Sequence, residues 1–357
     1  MRGYFLIAII LNHLQYFPNG LDFLTMRGQL FVSSAEGFFL ISGIVLGIVR
    51  GRKLIDKPLK VGASLLLKRA GQLYITYAIL TILFTLIGWW FFMNNPGLKS
   101  GIVSPDTPFF SMVWNVLSFQ YLYGWADYLR LYCLFMLVSP VVLWLLRHGK
   151  WWVALLGSII VWLAVPELDW PQSVYTQPFN WQLLFFSGMI IGFHWQEIAG
   201  FWKKIPILWR KIGTATLVTT SLVTLAVNLY LSFGGELGQA VYDVVAPLRE
   251  ELQYAYFNKE NLQWPRVLMF FAWFWSSFWF FTKFEKQITK FFGWLLLSFG
   301  TNSLYVYTVH AFLIFFAHLL IAPGSTNFFT NVPLTFIVIA IIWVMIRYKV
   351  LFKIIPR

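Results

Sequence analysis

Charge is scarce in this sequence. Only 11% of its 357 residues are charged, with 14 acidic residues against 27 basic ones and a formal net charge of +13. A soluble domain usually carries about 25% charged residues, so there are too few here to cover a water-exposed surface. A single cysteine, Cys133, lies inside an apolar run. That excludes an intrachain disulfide and a metal site built on cysteines. Phosphate-binding loops, dinucleotide fingerprints, zinc-protease helices and nucleophile elbows are missing as well. No clear internal repeat occurs, which counts against a secondary transporter made of inverted halves. These absences exclude a disordered chain, a nucleic-acid-binding domain and an ordinary soluble enzyme, and leave a membrane enzyme or a transporter.

Apolar residues are abundant: 59% of the chain is hydrophobic, 20% aromatic, and the mean hydropathy is +0.68. We read ten apolar spans, at about 3–18, 28–49, 65–92, 127–146, 151–166, 180–198, 212–233, 266–282, 299–321 and 332–350. Most fit the ~17–25 residues that a membrane-spanning helix needs. The stretch from Met112 to Trp125, interrupted by Asn115, Gln120 and Gly124, reads as re-entrant or interfacial. With the N-terminus inside, 21 of the 27 basic residues fall in inside segments, and only Arg27, Lys99, Arg130, Arg249, Lys259 and Arg266 fall outside. This asymmetry favours an all-α polytopic membrane protein with about ten transmembrane helices and both termini cytoplasmic. The largest outside loop, about 233–266, holds Glu236, Asp243, Glu250, Glu251 and Glu260 and is a candidate to fold over the outer face.

Ionisable groups at membrane depth usually face a cavity or a partner, because a lone charge there costs ~2.5–3.5 kcal/mol. His13 sits near the outer end of the first span, Glu36 in the second and His310 in the ninth. A short loop joins the first two spans, so His13 and Glu36 are expected at similar depth, with Glu36 orienting His13 as a general base. The plainer alternative is a buried polar pair that locks two helices. His318 reads as structural, His194 as a helix-end residue and His148 as a loop residue. Gly43 to Gly47 and Gly188 to Gly192 have the GxxxG spacing of close helix contacts, and packing accounts for them. Lys68 and Arg69 open the third span, where they could reach donor phosphates; positive-inside topology explains most of that basic loop. Asn180, Trp181 and Gln182 combine amides with an aromatic face, which suits a sugar or an interfacial belt. Trp125, Asp127 and Arg130 make a similar outer cluster.

Four stretches occur in one order: Arg2-Gly3 running into Asn12-His13; SSAEGFFLISGIVLG at 33–47; LRLYCLFMLVSP at 129–140 with FNWQLLFFSGMIIG at 179–192; and SFGTNSLYVYTVH at 298–310. Together they resemble the OpgC-type membrane acyltransferases, within the wider acyltransferase-3 group, and the second stretch is the most specific. The resemblance covers nearly the whole chain, 1–357, as one transmembrane domain. It implies a bacterial cytoplasmic membrane enzyme that moves an acyl group, succinyl or acetyl, from a cytosolic coenzyme A thioester to a hydroxyl of an extracytoplasmic glycan. It also implies His13 and Glu36 as catalytic, with His310 and Asn302 as further candidates. Arg2, Lys68 and Arg69 would bind the donor, and Asn180, Trp181 and Gln182 the acceptor. Relatives often place an aspartate before the histidine where this chain has Asn12, which leaves Glu36 as the expected carboxylate. The acyl-CoA would be a co-substrate beside membrane lipid and the glycan; no bound cofactor, metal or nucleic acid is expected. A transporter using the same His and Glu residues as a proton relay is the alternative.

Overall fold

The computed structural model describes residues 1–28, 31–98, 101–164 and 173–355. Of the residues used for the charge count, Lys99 and Arg357 lie outside this set. Among the described residues there is no strand. Fifteen α-helices follow in order. The first five are α1 Arg2–Leu14, α2 Asp22–Thr25, α3 Ser34–Leu46, α4 Leu59–Phe91 and α5 Phe109–Leu117. Then come α6 Asp127–Arg147, α7 Trp151–Ala164, α8 Ser173–Phe193, α9 Trp195–Lys204 and α10 Ile207–Phe233. The last are α11 Gln239–Ala255, α12 Trp264–Lys283, α13 Glu285–Thr301, α14 Ser303–Leu320 and α15 Phe328–Arg347.

Every expected span contains a helix, but not every helix is a full span. Among the described residues six are long and apolar enough to cross a membrane by themselves, or seven if α12 and α13, bent by 95°, count as one. The first span shows why the sequence overstates the helix. Apolar residues continue to Pro18, yet α1 stops at Leu14 because Gln15 turns left-handed at φ 56°. The freed backbone is not left to lipid. The Gln15 carbonyl accepts from the Gly324 amide at 3.0 Å, and the Pro18 carbonyl accepts from Asn331 Nδ2 at 3.3 Å. Tyr16 donates to the Ile321 carbonyl at 2.6 Å. Irregular backbone at membrane depth persists where protein satisfies it in this way. At 1.5 Å per residue the 13 residues of α1 cover about 20 Å, so its two ends lie closer together than the two faces of a bilayer, ~30 Å apart.

The Met112–Trp125 stretch is the short helix α5 followed by a non-helical run, and the large loop carries α11. A separate α13 was not expected from the sequence: its first turns are polar (EKQITK) and its apolar part merges with the ninth span.

Two glycine pairs bring α3 and α8 into backbone contact. A Cβ on Gly43 would lie 2.1 Å from the Phe185 carbonyl oxygen, and one on Gly188 would lie 2.3 Å from that of Leu40. Gly47 and Gly192 repeat the arrangement one turn on. With no hydrophobic force between helices in lipid, such close packing supplies the association. The long α4 packs along α6, and the buried core runs from α1 through α3, α6 and α8 to α14.

Candidate active site

His13 occupies the last turn of α1, and the left-handed residue two places on ends the helix there. Its ring lies against α14. His13 Nδ1 is 3.1 Å from His310 Nε2, and His310 Nδ1 is 2.5 Å from the Tyr307 carbonyl oxygen. A carbonyl only accepts, so in neutral His310 the proton sits on Nδ1 and Nε2 is the acceptor. His13 must then donate from Nδ1, which places its lone pair on Nε2. The proton positions follow from the backbone carbonyl that His310 Nδ1 faces. Trp125 stacks on the His13 ring at 4.1 Å and 13°. The Tyr307 ring sits edge-on to His310 at 4.5 Å.

From this pair an aromatic wall leads to α3. Tyr128 stacks on Tyr307 at 5.3 Å and donates to the Ala35 carbonyl at 2.9 Å. The Tyr307 hydroxyl faces Asp127 Oδ1 at 3.5 Å. Next to Ala35 stands Glu36, the third residue of a capping box whose side chain accepts from the Ser33 amide at 3.0 Å and from the Ser33 hydroxyl. Its other oxygen, Oε1, meets Arg266 of α12 at 2.5 Å from both Nε and Nη2. Glu36 is 0% and Arg266 2% exposed at the side chain. Breaking a pair buried to that degree leaves an uncompensated charge, at about 3–5 kcal/mol.

His13 and Glu36, expected to act together, each have a further partner. The imidazole that orients His13 is His310, while Glu36 caps α3 and binds Arg266. Arg266 arrives at Glu36 from 230 positions away in sequence. Arg266 was counted only as an outside charge. Its signal was available: a lone arginine just inside an apolar run has to find an acid.

The other expected residues divide. Arg69 comes within electrostatic reach of Arg2 and of Arg50, the latter not among the expected site residues. Arg50 lies in a π-helical turn, 47–51, between α3 and α4, a distortion frequent at functional sites. Arg2 also stands over the Phe38 ring at 5.4 Å. Lys68 is exposed instead. An open cleft of about 390 Å³ reaches Arg2 between the start of α1, α12 and α13, with Thr282, Glu285, Gly300 and Thr301 on its walls.

Asn180, Trp181 and Gln182 do not form a sugar shelf. Trp181, 1% exposed, packs edge-on against Phe39. Gln182 Nε2 donates to the Ser158 carbonyl at 2.8 Å, and Asn180 Nδ2 to the Glu260 carbonyl at 3.4 Å. Their apolar neighbours on α3 and α7 need a polar side chain only to tie helices and loop together. Asn302 sits eight residues before His310, about 12 Å along α14. It donates to the Ser298 carbonyl at 2.9 Å, so it works at the α13–α14 junction and not beside the histidines. His318 donates to the Leu14 carbonyl at 2.9 Å and braces the end of α1, the structural role expected of it.

The fold and site define a polytopic helical membrane protein. It holds a histidine pair joining α1 to α14, with His310 buried and His13 partly so. A family model described as OpgC protein matches residues 1–354, and the chain belongs to that family, which makes it a membrane acyltransferase. No curated protein and no solved structure matches the chain.

Proposed function

We propose that this enzyme transfers an acyl group, succinyl or acetyl, from a cytosolic acyl-CoA to a hydroxyl of an extracytoplasmic glycan. It would do so in a bacterial cytoplasmic membrane, with ten crossings and both termini inside. The observation that carries the reading is the carbonyl-locked pair His13–His310, which puts a lone pair on His13 Nε2. Arg69, with Arg2 and Arg50 each in reach of it, supports a donor site at the basic end, since gathered guanidinium groups favour a phosphate-bearing ligand. The cleft at Arg2 is the entrance for that donor. His13 lies eleven residues from Arg2, about 16 Å along α1, a separation suited to an extended thioester arm.

In the step, the glycan oxygen attacks the thioester carbonyl while His13 Nε2 takes the hydroxyl proton. The His13 Nδ1–H bond to His310 tightens as the imidazolium forms. The tetrahedral intermediate then expels the thiolate: the C–S bond breaks, the ester C–O bond remains, and the proton on His13 passes to sulfur. Positioned acid–base catalysis of this kind contributes about 10²–10⁴-fold. Arg266 and Glu36 fix α3 and α12 around the site and do not touch the reacting atoms.

The test is transfer of labelled acetyl and succinyl groups from coenzyme A to periplasmic glucan by purified protein. The reading predicts labelled ester with wild type and none with His13→Ala. Glucan or donor flux through vesicles without ester would support transport instead.

A further inference from the structure

The turn that leads into α6 sets three side chains around the histidines. Gly124 is left-handed at φ 67°, and a Cβ there would lie 2.9 Å from the Phe84 ring. Past that turn, Trp125 stacks on His13, Asp127 is the first residue of α6, and Tyr128 stacks on Tyr307. Tyr307 is buried at 2% exposure, and its hydroxyl lies 3.5 Å from Asp127 Oδ1. Its ring stands edge-on to His310 at 4.5 Å and to His13 at 6.5 Å. Asp127 and His13 are each only partly buried, so two groups that keep an exposed side flank one buried tyrosine.

An ionised carboxylate can accept about four hydrogen bonds. Asp127 receives one, and at 3.5 Å it is long for an O–H···O bond, usually about 2.7–2.8 Å. Among the described residues Asp127 has no ion pair; Lys259 is within electrostatic reach of it but not bonded to it. Glu36, by contrast, spends both oxygens on Ser33 and Arg266. Of the outer cluster Trp125, Asp127 and Arg130, Arg130 is buried and donates to the Phe119 carbonyl, so Asp127 is the charged member that keeps an exposed surface. The arginines at the basic end suit phosphate. Asp127 offers the opposite chemistry, an acceptor for O–H donors. Sugar hydroxyls are neutral donors that come in adjacent pairs, and the two oxygens of one carboxylate can accept from both.

We propose that Asp127 and the Tyr307 hydroxyl form the acceptor subsite and bind a neutral hexose residue of the glycan. Asp127 accepts from two adjacent hydroxyls of that residue in place of its long contact with Tyr307, whose hydroxyl then donates to a sugar oxygen. The subsite lies one tyrosine ring away from His13, so a further hydroxyl of the same sugar or the next can reach Nε2. It takes over the role expected of Asn180, Trp181 and Gln182, of which Trp181 is buried against Phe39. The assignment rests on the glycan-acceptor reading, and its test separates the two.

Titration of unsubstituted periplasmic glucan into the purified full chain in nanodiscs, without acyl-CoA, reads the subsite apart from chemistry, with NMR saturation transfer to the glucan protons giving Kd. Asp127→Asn, which keeps the shape and loses the charge, should raise Kd about tenfold or more, the scale of hydrogen bonds to a charged group. Tyr307→Phe, which keeps the ring beside His310, should raise it about two- to fivefold, the scale of a neutral bond. Glu250→Gln, at an exposed acid of α11, should not change it. In turnover, Asp127→Asn should raise the glucan KM and leave the acyl-CoA KM as it was. Equal Kd for wild type and Asp127→Asn overturns the proposal, as does wild type that binds no glucan. If Asp127→Asn lowers the melting temperature, Tyr307→Phe decides, and an unchanged Kd there overturns the proposal. Ester formation with the same glucan KM in wild type and Asp127→Asn would remove the subsite and leave acyl transfer standing. Binding that depends on Asp127, without ester from any protein, wild type included, would remove the acyl-transfer reading and leave the subsite.

Discussion

At the scale of the residue, the proposed chemistry turns on one proton. His13 donates from Nδ1 only because His310 accepts, and His310 accepts only because its own Nδ1–H is spent on the Tyr307 carbonyl. A side chain that keeps an acceptor at position 310 should therefore preserve more activity than one that cannot. His310→Gln is expected to retain measurable transfer, while His310→Phe should lose about 10²–10⁴-fold in kcat with little change in donor KM; steady-state kinetics on both variants decides it. Glu36 behaves differently. Glu36→Gln leaves the Arg266 guanidinium buried without its counter-charge and should lower stability by about 3–5 kcal/mol. The double variant Glu36→Leu with Arg266→Met should recover much of that loss, as thermal unfolding in detergent would show. The sequence exposed His13, Glu36 and His310 as ionisable groups in an apolar setting. Which of them meet could not be read there, because the short loop between spans argues for proximity along the chain, while His310 and Arg266 reach their partners from 297 and 230 positions away.

At the scale of the element, each apolar run holds a helix, six or seven of which are long and apolar enough to cross a membrane among the described residues, and helix ends depended on backbone conformation. Nothing apolar distinguishes Leu14 from Phe17, yet the left-handed Gln15 stops α1, and that stop places His13 in the last turn of the helix. The glycine spacing on α3 and α8 was legible, because only small residues allow that contact. Gly188→Leu should force the α8 backbone off Leu40 and destabilise by about 1–3 kcal/mol or more. The expected sign is a lower melting temperature and reduced accumulation in membranes. Gly157→Leu, at a glycine whose added Cβ meets nothing within 4 Å, should leave both unchanged.

At the scale of the whole molecule, a thin site joins two faces. The short α1 carries Arg2 at one end and His13 at the other, so in the proposed reaction a donor held near Arg2 and Arg69 would reach the imidazole from one side and the acceptor from the other. Arg50→Gln should then raise the KM for acyl-CoA without affecting acceptor KM, and Lys68→Gln should change neither. The positive-inside pattern further predicts that a cysteine at Lys150 is labelled only from the cytoplasmic side and one at Lys259 only from the other. Most directly, the central claim is tested by incubating wild type, His13→Ala and His310→Phe with labelled acyl-CoA and periplasmic glucan and counting ester-bound label. The account predicts labelled glucan from wild type, none from His13→Ala and a trace from His310→Phe. Equal labelling by wild type and His13→Ala, in protein of unchanged melting temperature, would contradict it.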